Sequence, residues 1–489
     1  MDWSRMAKRT VIIGGGISGL AAAYYLQEAA GEPGDFVLLE ASGRLGGKII
    51  SDVSEGFLVE GGPDSFLTQK SGTLELCRAV GLGDQLSGSS QSASPSTYVL
   101  SNNRLHPMPE GMMLMAPTMI LPILRSRLIS WSGKFRMGME VFVPRASSDS
   151  DESLGSFVRR RLGSELLNKI AGPLMAGIHA GDPERLSLRS TFPMFAEMEK
   201  TDRSLVLGMM KRKRVKASGP ETIQAPSMFT TLAGGLQQLP DAIAARLDGR
   251  HVKLNCGVQS LLHQDGEYKV ILSDGSSMRA DNIIFATPAY VTAEIIRQLD
   301  PSLAETLRAI RYVSTATVSL GFKRSELTCS LKGLGFIVPA SERRRINACS
   351  WSSLKFSNRA PEECVLMRVF VGGALAEDLA QLDEAALIDL ARRELHDILG
   401  ITAAPILARA YRWNKSNPQY EVGHGALIAQ VERLTDVHPG LYLVGAAYRG
   451  SGVPDCIQSG RDAAMKITQL QDAFQSSRPS VALPVPVAI

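Results

Sequence analysis

Val11-Ile12-Ile13-Gly14-Gly15-Gly16-Ile17-Ser18-Gly19 constrains this chain more than any other stretch. An apolar, β-branched run ends in Gly14-x-Gly16-x-x-Gly19 and opens onto a small-residue helical segment, Leu20 to Leu26. A second apolar run, Phe36 to Leu39, ends at Glu40, 21 positions after Gly19. A βαβ unit that holds an adenine dinucleotide requires that order. Gly14 permits the tight turn, Gly16 lets backbone approach a pyrophosphate, and Gly19 lets helix and strand pack closely. With Gly15, Ile17 and Ser18 they place the N–H groups of a helix N-terminus around the phosphates. Glu40 is the predicted acceptor for the ribose hydroxyls.

The 489 residues are too many for one compact core, so two or three domains are expected. A net charge of +4 over that length makes no case for nucleic-acid binding. The densest basic cluster, Lys211-Arg212-Lys213-Arg214, runs into Gly, Pro, Ser and Thr, and reads as a solvated loop within a polar linker, Lys211 to Ala225. None of the six cysteines forms a CxxC pair and the seven histidines are scattered, which points to a reduced, cytosolic compartment and to no metal site. The N-terminus is short and polar, unlike a targeting segment, and no apolar run reaches the length of a membrane span.

Composition shifts and strand patterns divide the chain further. A discontinuous dinucleotide domain is expected from 1–89, 228–296 and 413–474, with a second sheet-containing domain from 90–110, 186–227 and 297–412. Between them 111–185 reads as a helical insert, and 475–489 as a disordered tail. Met112 to Leu124 is apolar apart from Thr118 and is followed by Arg125, Arg127, Trp131, Lys134 and Arg136. Two readings stand for it: an amphipathic element lying in a membrane interface, or a methionine-rich core beside a cleft.

Several motifs then resemble one superfamily. Gly14 to Gly19, Glu40-Ala41, Arg44-x-Gly46-Gly47, the strand ending Ala286-Thr287-Pro288 and a C-terminal strand–Gly–helix are similar to the FAD amine oxidases and phytoene desaturases. Gly62-Pro63-Asp64-Ser65-Phe66, Leu105 to Pro109, Pro173 to Pro183, Trp413 to His424 and Gly450-x-Gly452-Val453-Pro454-Asp455 resemble the porphyrinogen oxidases, over nearly the whole chain. That resemblance implies an α/β (α+β) fold. Its parts are a Rossmann-like FAD domain of the p-hydroxybenzoate hydroxylase type, a mixed-sheet substrate domain and a helical membrane-associated insert. It implies FAD as cofactor, O₂ as oxidant and a porphyrinogen as substrate, which loses six electrons and six protons in three steps with release of H₂O₂. A cytoplasmic protein, peripheral at the inner face of the membrane, monomeric or homodimeric and without nucleic acid, fits the same picture.

By matched position, the resemblance assigns Lys48 to the flavin or phosphate side, and Gly62, Pro63, Asp64 and Ser65 to backbone passing near the flavin. It assigns Ala41 and Val258 to the adenosine side, Trp413 to the flavin environment, and Gly452, Val453 and Pro454 to the entry of a helix aimed at the flavin. For substrate it implies Ile337 and Phe356 as sandwiching walls and Gly177 as a point of close approach; Lys70, four residues after Phe66, reads either as a carboxylate partner or as a solvated helix lysine. No obligatory acid or base is expected, with His179 the one candidate. Mitochondrial and plastid members carry an arginine where this chain has Thr97, so carboxylate anchoring differs here. That departure, with the similarity to bacterial members, favours coproporphyrinogen III over protoporphyrinogen IX. The alternatives are another amine oxidase or carotenoid desaturase, or a flavin-free lipid binder resembling the Rab GDP-dissociation inhibitors.

Overall fold

The computed structural model describes residues 9–30, 35–89, 97–113, 115–146, 150–217 and 228–476. Thr10–Ile13 lies at the centre of a parallel sheet, between Phe36–Leu39 and Asn282–Phe285. Val252–Lys253 and Leu441–Leu443 complete its five strands. The three central strands are buried at every position because structure covers both faces of the sheet, which is why they read as unbroken apolar runs. On one face Ile12 and Leu38 meet Leu20 and Ala23 of the Ile17–Ala30 helix and Ile457 and Ile467 of the Val453–Ser476 helix. On the other, Val11 and Ile13 meet Leu261 and Val270 of a three-stranded antiparallel sheet. The two helices touch backbone to backbone: a Cβ at Gly460 would stand 2.2 Å from Ser18 O.

A second, seven-stranded sheet is mixed. Its order is Leu407–Pro418, Tyr312–Lys323, Cys364–Gly372, Ala348–Trp351, Gly335–Ile337, Thr97–Ser101 and Arg104–Pro107. The alternation Thr315-Ala316-Thr317-Val318-Ser319-Leu320 splits its two faces, since successive strand residues point to opposite sides. Ala316, Val318 and Leu320 pack on Leu387, Leu390 and Leu395 of the Glu384–Leu399 helix. Asp383 caps that helix and Gly400 ends it. The polar face turns toward the first unit: Arg409 donates to Ser54 Oγ and Tyr411 to Asp52.

The 111–185 region is fused to the second sheet through one core, which joins Leu154, Phe157 and Val158 to Phe195, Leu205, Val99 and Ile337. Within it Arg161 and Glu140 form an ion pair with both side chains fully buried. Glu140 also accepts from Ser204 Oγ and Leu205 N, and Arg161 donates to Val143 O, so the pair's hydrogen-bonding capacity is largely used.

Four sequence expectations change. The Lys211–Arg214 run lies on a helix, Leu205–Ala217, rather than in a loop. Leu205 and Met209, four residues apart, bury one stripe of it, and no proline interrupts it; residues 218–225 of the expected linker lie outside the described residues. Met112 to Leu124 is not one element. Met112–Met113 and Ala116–Pro117 pair as a hairpin, with Met115 and Ala116 in the core, and a short helix, Ile120–Arg125, follows. Trp413 stands in the seven-stranded sheet rather than with the dinucleotide unit, because its strand pairs with Tyr312–Lys323. The expected tail begins inside the final helix, which runs to Ser476, and 477–489 lie outside the described residues. Among the described residues no helix is long and apolar enough to cross a membrane.

Candidate active site

The glycine turn has the geometry its spacing demands. Gly14 has φ +109°, and a Cβ at Gly19 would lie 1.9 Å from Gly14 O, so neither position admits a side chain without displacement. Leu20 N makes the first helical bond, to Gly16 O, which leaves the N–H groups of Ile17, Ser18 and Gly19 outside the helix's own ladder. Glu40 closes the turn from the side: Oε2 accepts from Gly15 N at 2.7 Å, and Oε1 accepts from Ser42 N and Oγ. Ionised carboxylate oxygens retain lone pairs beyond these three donors. The adjoining segment runs alongside, with Glu40 N donating to Lys253 O and Cys256 N to Glu40 O. This brings Ala41 close to Gly257 and so near the start of the Val258–Gln264 strand.

A second layer of backbone follows. Gly46 N donates to Gly15 O, and a Cβ at Gly47 would stand 3.0 Å from Gly16 Cα. Lys48 extends from this layer across to the second sheet and donates to Ser416 O. A β-bulge there, with Lys415 at φ +42° and its N–H on Ser314 Oγ, presents that carbonyl. Lys48 lies in a recess that solvent reaches, yet the surrounding protein lowers its pKa by burial.

The Gly61–Ser65 loop comes next. A Cβ at Gly62 would fall 1.8 Å from Lys48 O, so the loop rests on the Gly47–Lys48 backbone. Beneath it lies a group of buried and half-buried charges. Lys355 Nζ reaches both Asp64 oxygens at 3.1 Å, Arg368 lies 3.9 Å from the same carboxylate, and Arg359 lies 3.5 Å from Glu60. Burial pushes the Asp64 carboxyl up, but Lys355 and then Arg368 outweigh it and hold the group well below the usual carboxylate range. Glu60 is shifted the other way: burial raises it, against hydrogen bonds from Ser51 and Leu236 N. The cluster contains one more cation than anion. Glu60, Lys355, Arg359 and Arg368 were not singled out from the sequence, although Arg368 is the one charge inside the apolar strand Cys364–Gly372, a legible signal.

At the far end Gly452 leads into the final helix, whose first turn carries Val453, Pro454 and Asp455. Lys70 is ion-paired with Asp455, so its amine is drawn to that helix rather than left open to a ligand carboxylate. Trp413 Nε1 donates to Gly61 O at 2.8 Å. Ile337 and Phe356 are 6% and 1% exposed, and Lys355 Nζ lies 4.8 Å from the Phe356 ring centroid, so neither residue presents an open face in this conformation. Gly177 does: it is exposed, and a Cβ there would meet nothing within 4 Å. Two residues on, burial lowers His179 to about 4, so it is neutral at pH 7, and its ring meets Phe192 edge-on. A cavity of about 580 Å³ lined by Tyr290, Glu377, Asp378 and Lys415 contains none of the predicted residues, and its two carboxylates suit an acidic ligand poorly.

Glycine turn, stacked Gly46–Gly47 layer and C-terminal helix entry thus converge on one surface. The family described as flavin containing amine oxidoreductase matches residues 17–468. The chain belongs to that family. Its cofactor is therefore a flavin, and the backbone donors and Glu40 suit the dinucleotide form. Among its relatives is the coproporphyrinogen III oxidase of Bacillus subtilis (strain 168), 38% identical, with 93% of this chain and 97% of that protein covered. The protoporphyrinogen oxidase of Bos taurus is 32% identical, with 94% and 98% covered. A crystal structure assigned as a protoporphyrinogen oxidase, from Exiguobacterium sp. 255-15, superimposes with a TM-score of 0.82 at 31% identity, covering 95% of this chain and all of that one.

Proposed function

We propose that this flavoprotein oxidises a porphyrinogen to a porphyrin in haem biosynthesis, with coproporphyrinogen III the preferred substrate. The observation that carries the proposal is the similarity to the Bacillus subtilis coproporphyrinogen III oxidase, which extends over 93% of this chain. In this reading Gly14 to Gly19 hold the pyrophosphate, Glu40 the ribose, and Ala41 and Val258 border the adenine. Lys48, the Gly62–Ser65 loop and Trp413 border the flavin ring, and the helix entry at Gly452, Val453 and Pro454 faces its electron-rich edge. Bound FAD supplies two-electron oxidation, repeated three times per porphyrinogen, with three O₂ reduced to three H₂O₂. Gly177 is the proposed point of approach of the macrocycle, and Ile337 and Phe356 join its apolar boundary only if the groups now covering them move aside. Lys70 serves a substrate carboxylate only if it leaves Asp455.

The 111–185 region supports a peripheral membrane reading as its finer part. Ile120, Leu121, Leu124, Trp131, Phe135 and Phe142 are all exposed, and Lys134 lies over the Trp131 ring at 4.3 Å. An apolar surface with an aromatic anchor and basic neighbours suits the headgroup boundary. Replacing Trp131 and Phe135 by Ser should reduce sedimentation with anionic liposomes while leaving the flavin bound; unchanged sedimentation would refute it.

The function is tested by following porphyrin fluorescence in air with coproporphyrinogen III and protoporphyrinogen IX in parallel. A higher kcat/KM for the tetracarboxylate is expected. Preference for the dicarboxylate would overturn the substrate choice, and turnover of neither by a yellow protein would overturn the reaction.

A further inference from the structure

The polar face of the seven-stranded sheet converges on one backbone atom. Gly61 O accepts from Trp413 Nε1 at 2.8 Å, Thr317 Oγ1 at 3.0 Å and Arg368 Nη2 at 3.3 Å. The donors come from three adjacent strands and share one face, because Trp413 pairs with Thr315 and Arg368 with Ser319. The same Arg368 nitrogen also donates to Gly62 O. A carbonyl with two lone pairs rarely takes three donors, so this peptide is tightly held and polarised. A trans peptide carries its N–H opposite its C=O. Holding Gly61 O against the sheet therefore turns Gly62 N–H away from it.

Arg368 is 4% exposed, and its Nε has no partner among the described residues. A buried donor left unpaired has a free-energy cost that packing alone does not explain. Its guanidinium also belongs to the charge cluster beneath the loop, where cations exceed anions by one.

We propose that Arg368 is a positioning residue for the flavin: it orients the Gly61–Gly62 peptides and supplies net positive charge behind them, so that the bound ring takes up electrons more readily. The proposal rests on the FAD reading of the same site. In this proposal Arg368 acts through the loop and through its field. Charge that accumulates on reduction is stabilised by fixed dipoles and cations in a water-poor site.

The test uses purified holoenzyme of wild type, Arg368→Met, Arg368→Lys and Lys355→Met. Readouts are flavin content, the flavin absorption spectrum, the two-electron midpoint potential and Tm. Arg368→Met should make reduction less favourable by about tenfold, a fall of about 30 mV for a two-electron couple. Lys355→Met removes a cation and its bonds to Asp64 and Ser65 but leaves the bonds to Gly61 O and Gly62 O in place, so it should lower the potential while moving the absorption band less than Arg368→Met does. Arg368→Lys keeps the charge but lacks the guanidinium fork, so it should move the band and shift the potential less than Arg368→Met does. A lower Tm with wild-type potential and spectrum in the variants overturns the proposal, since that is what a purely structural arginine would give. Should Arg368→Met fail to fold, an Arg368→Lys enzyme with wild-type band and potential has the same force. A wild-type protein purified without flavin would overturn the FAD reading and this proposal with it.

Discussion

The two backbone surfaces of the active site are built in opposite ways. The Gly14–Gly19 turn and the Gly46–Gly47 layer come from fewer than 40 consecutive residues and hold their shape by positive φ at Gly14, Gly46 and Gly47 and by the close approach of Gly19 to Gly14 O. The Gly61–Gly62 seat is shaped by side chains from Thr317, Arg368 and Trp413, each more than 250 positions away. A local site tolerates almost no change at its glycines. A site held by several distant donors should degrade by degrees, because each donor contributes separately.

The sharpest way to break that contrast is Gly19→Ala. Its Cβ would overlap Gly14 O, so a loss on the order of 4 kcal/mol and of nearly all bound flavin is expected; urea unfolding and flavin absorbance check it. Full flavin occupancy in that variant would show the turn to be less rigid than its geometry implies. Glu40→Ala comes next. It removes charge-assisted acceptors from Gly15 N and Ser42, worth about 2 kcal/mol, and should weaken FAD binding to apoprotein by more than tenfold in a titration. Thr317→Val is milder: it removes one of three donors to Gly61 O while keeping the shape, so about 1 kcal/mol of stability is at stake. A loss as large as that of Gly19→Ala would mean that the donors act as one unit.

The smallest effect at neutral pH concerns His179. Its pKa is about 4 in the folded protein and near 6.5 unfolded. Between those values the unfolded chain binds the extra proton. Stability therefore rises with pH through that window, and is lost as pH falls from 6.5 toward 4. His179→Asn should flatten this part of the stability profile and leave pH 7 nearly unchanged. An unaltered slope would show that His179 is not the group responsible.

The same contrast explains what could be read in advance. The strands around Thr10–Ile13 and the glycine turn were legible because burial on both faces and positive φ leave direct marks on residue type. Lys70 was misleading: sequence shows a lysine but not that Asp455, 385 positions later, stands beside it. Met112 to Leu124 was ambiguous because apolar content does not say which half enters a core. Met115 did, and Ile120, Leu121 and Leu124 did not. Phe356 looked like an open wall, and only the fold shows it covered by Lys355.

Sequence by itself determined the dinucleotide turn and the acid at Glu40, because those depend on residue types at short separations, and it determined the family through motifs set along nearly the whole chain. Tertiary structure alone decided which cations are engaged, which hydrophobics face solvent and which carbonyl the second sheet grips. Those depend on strand register and on side-chain meetings across hundreds of residues, where residue type sets what each group can do and the fold sets what it finds opposite.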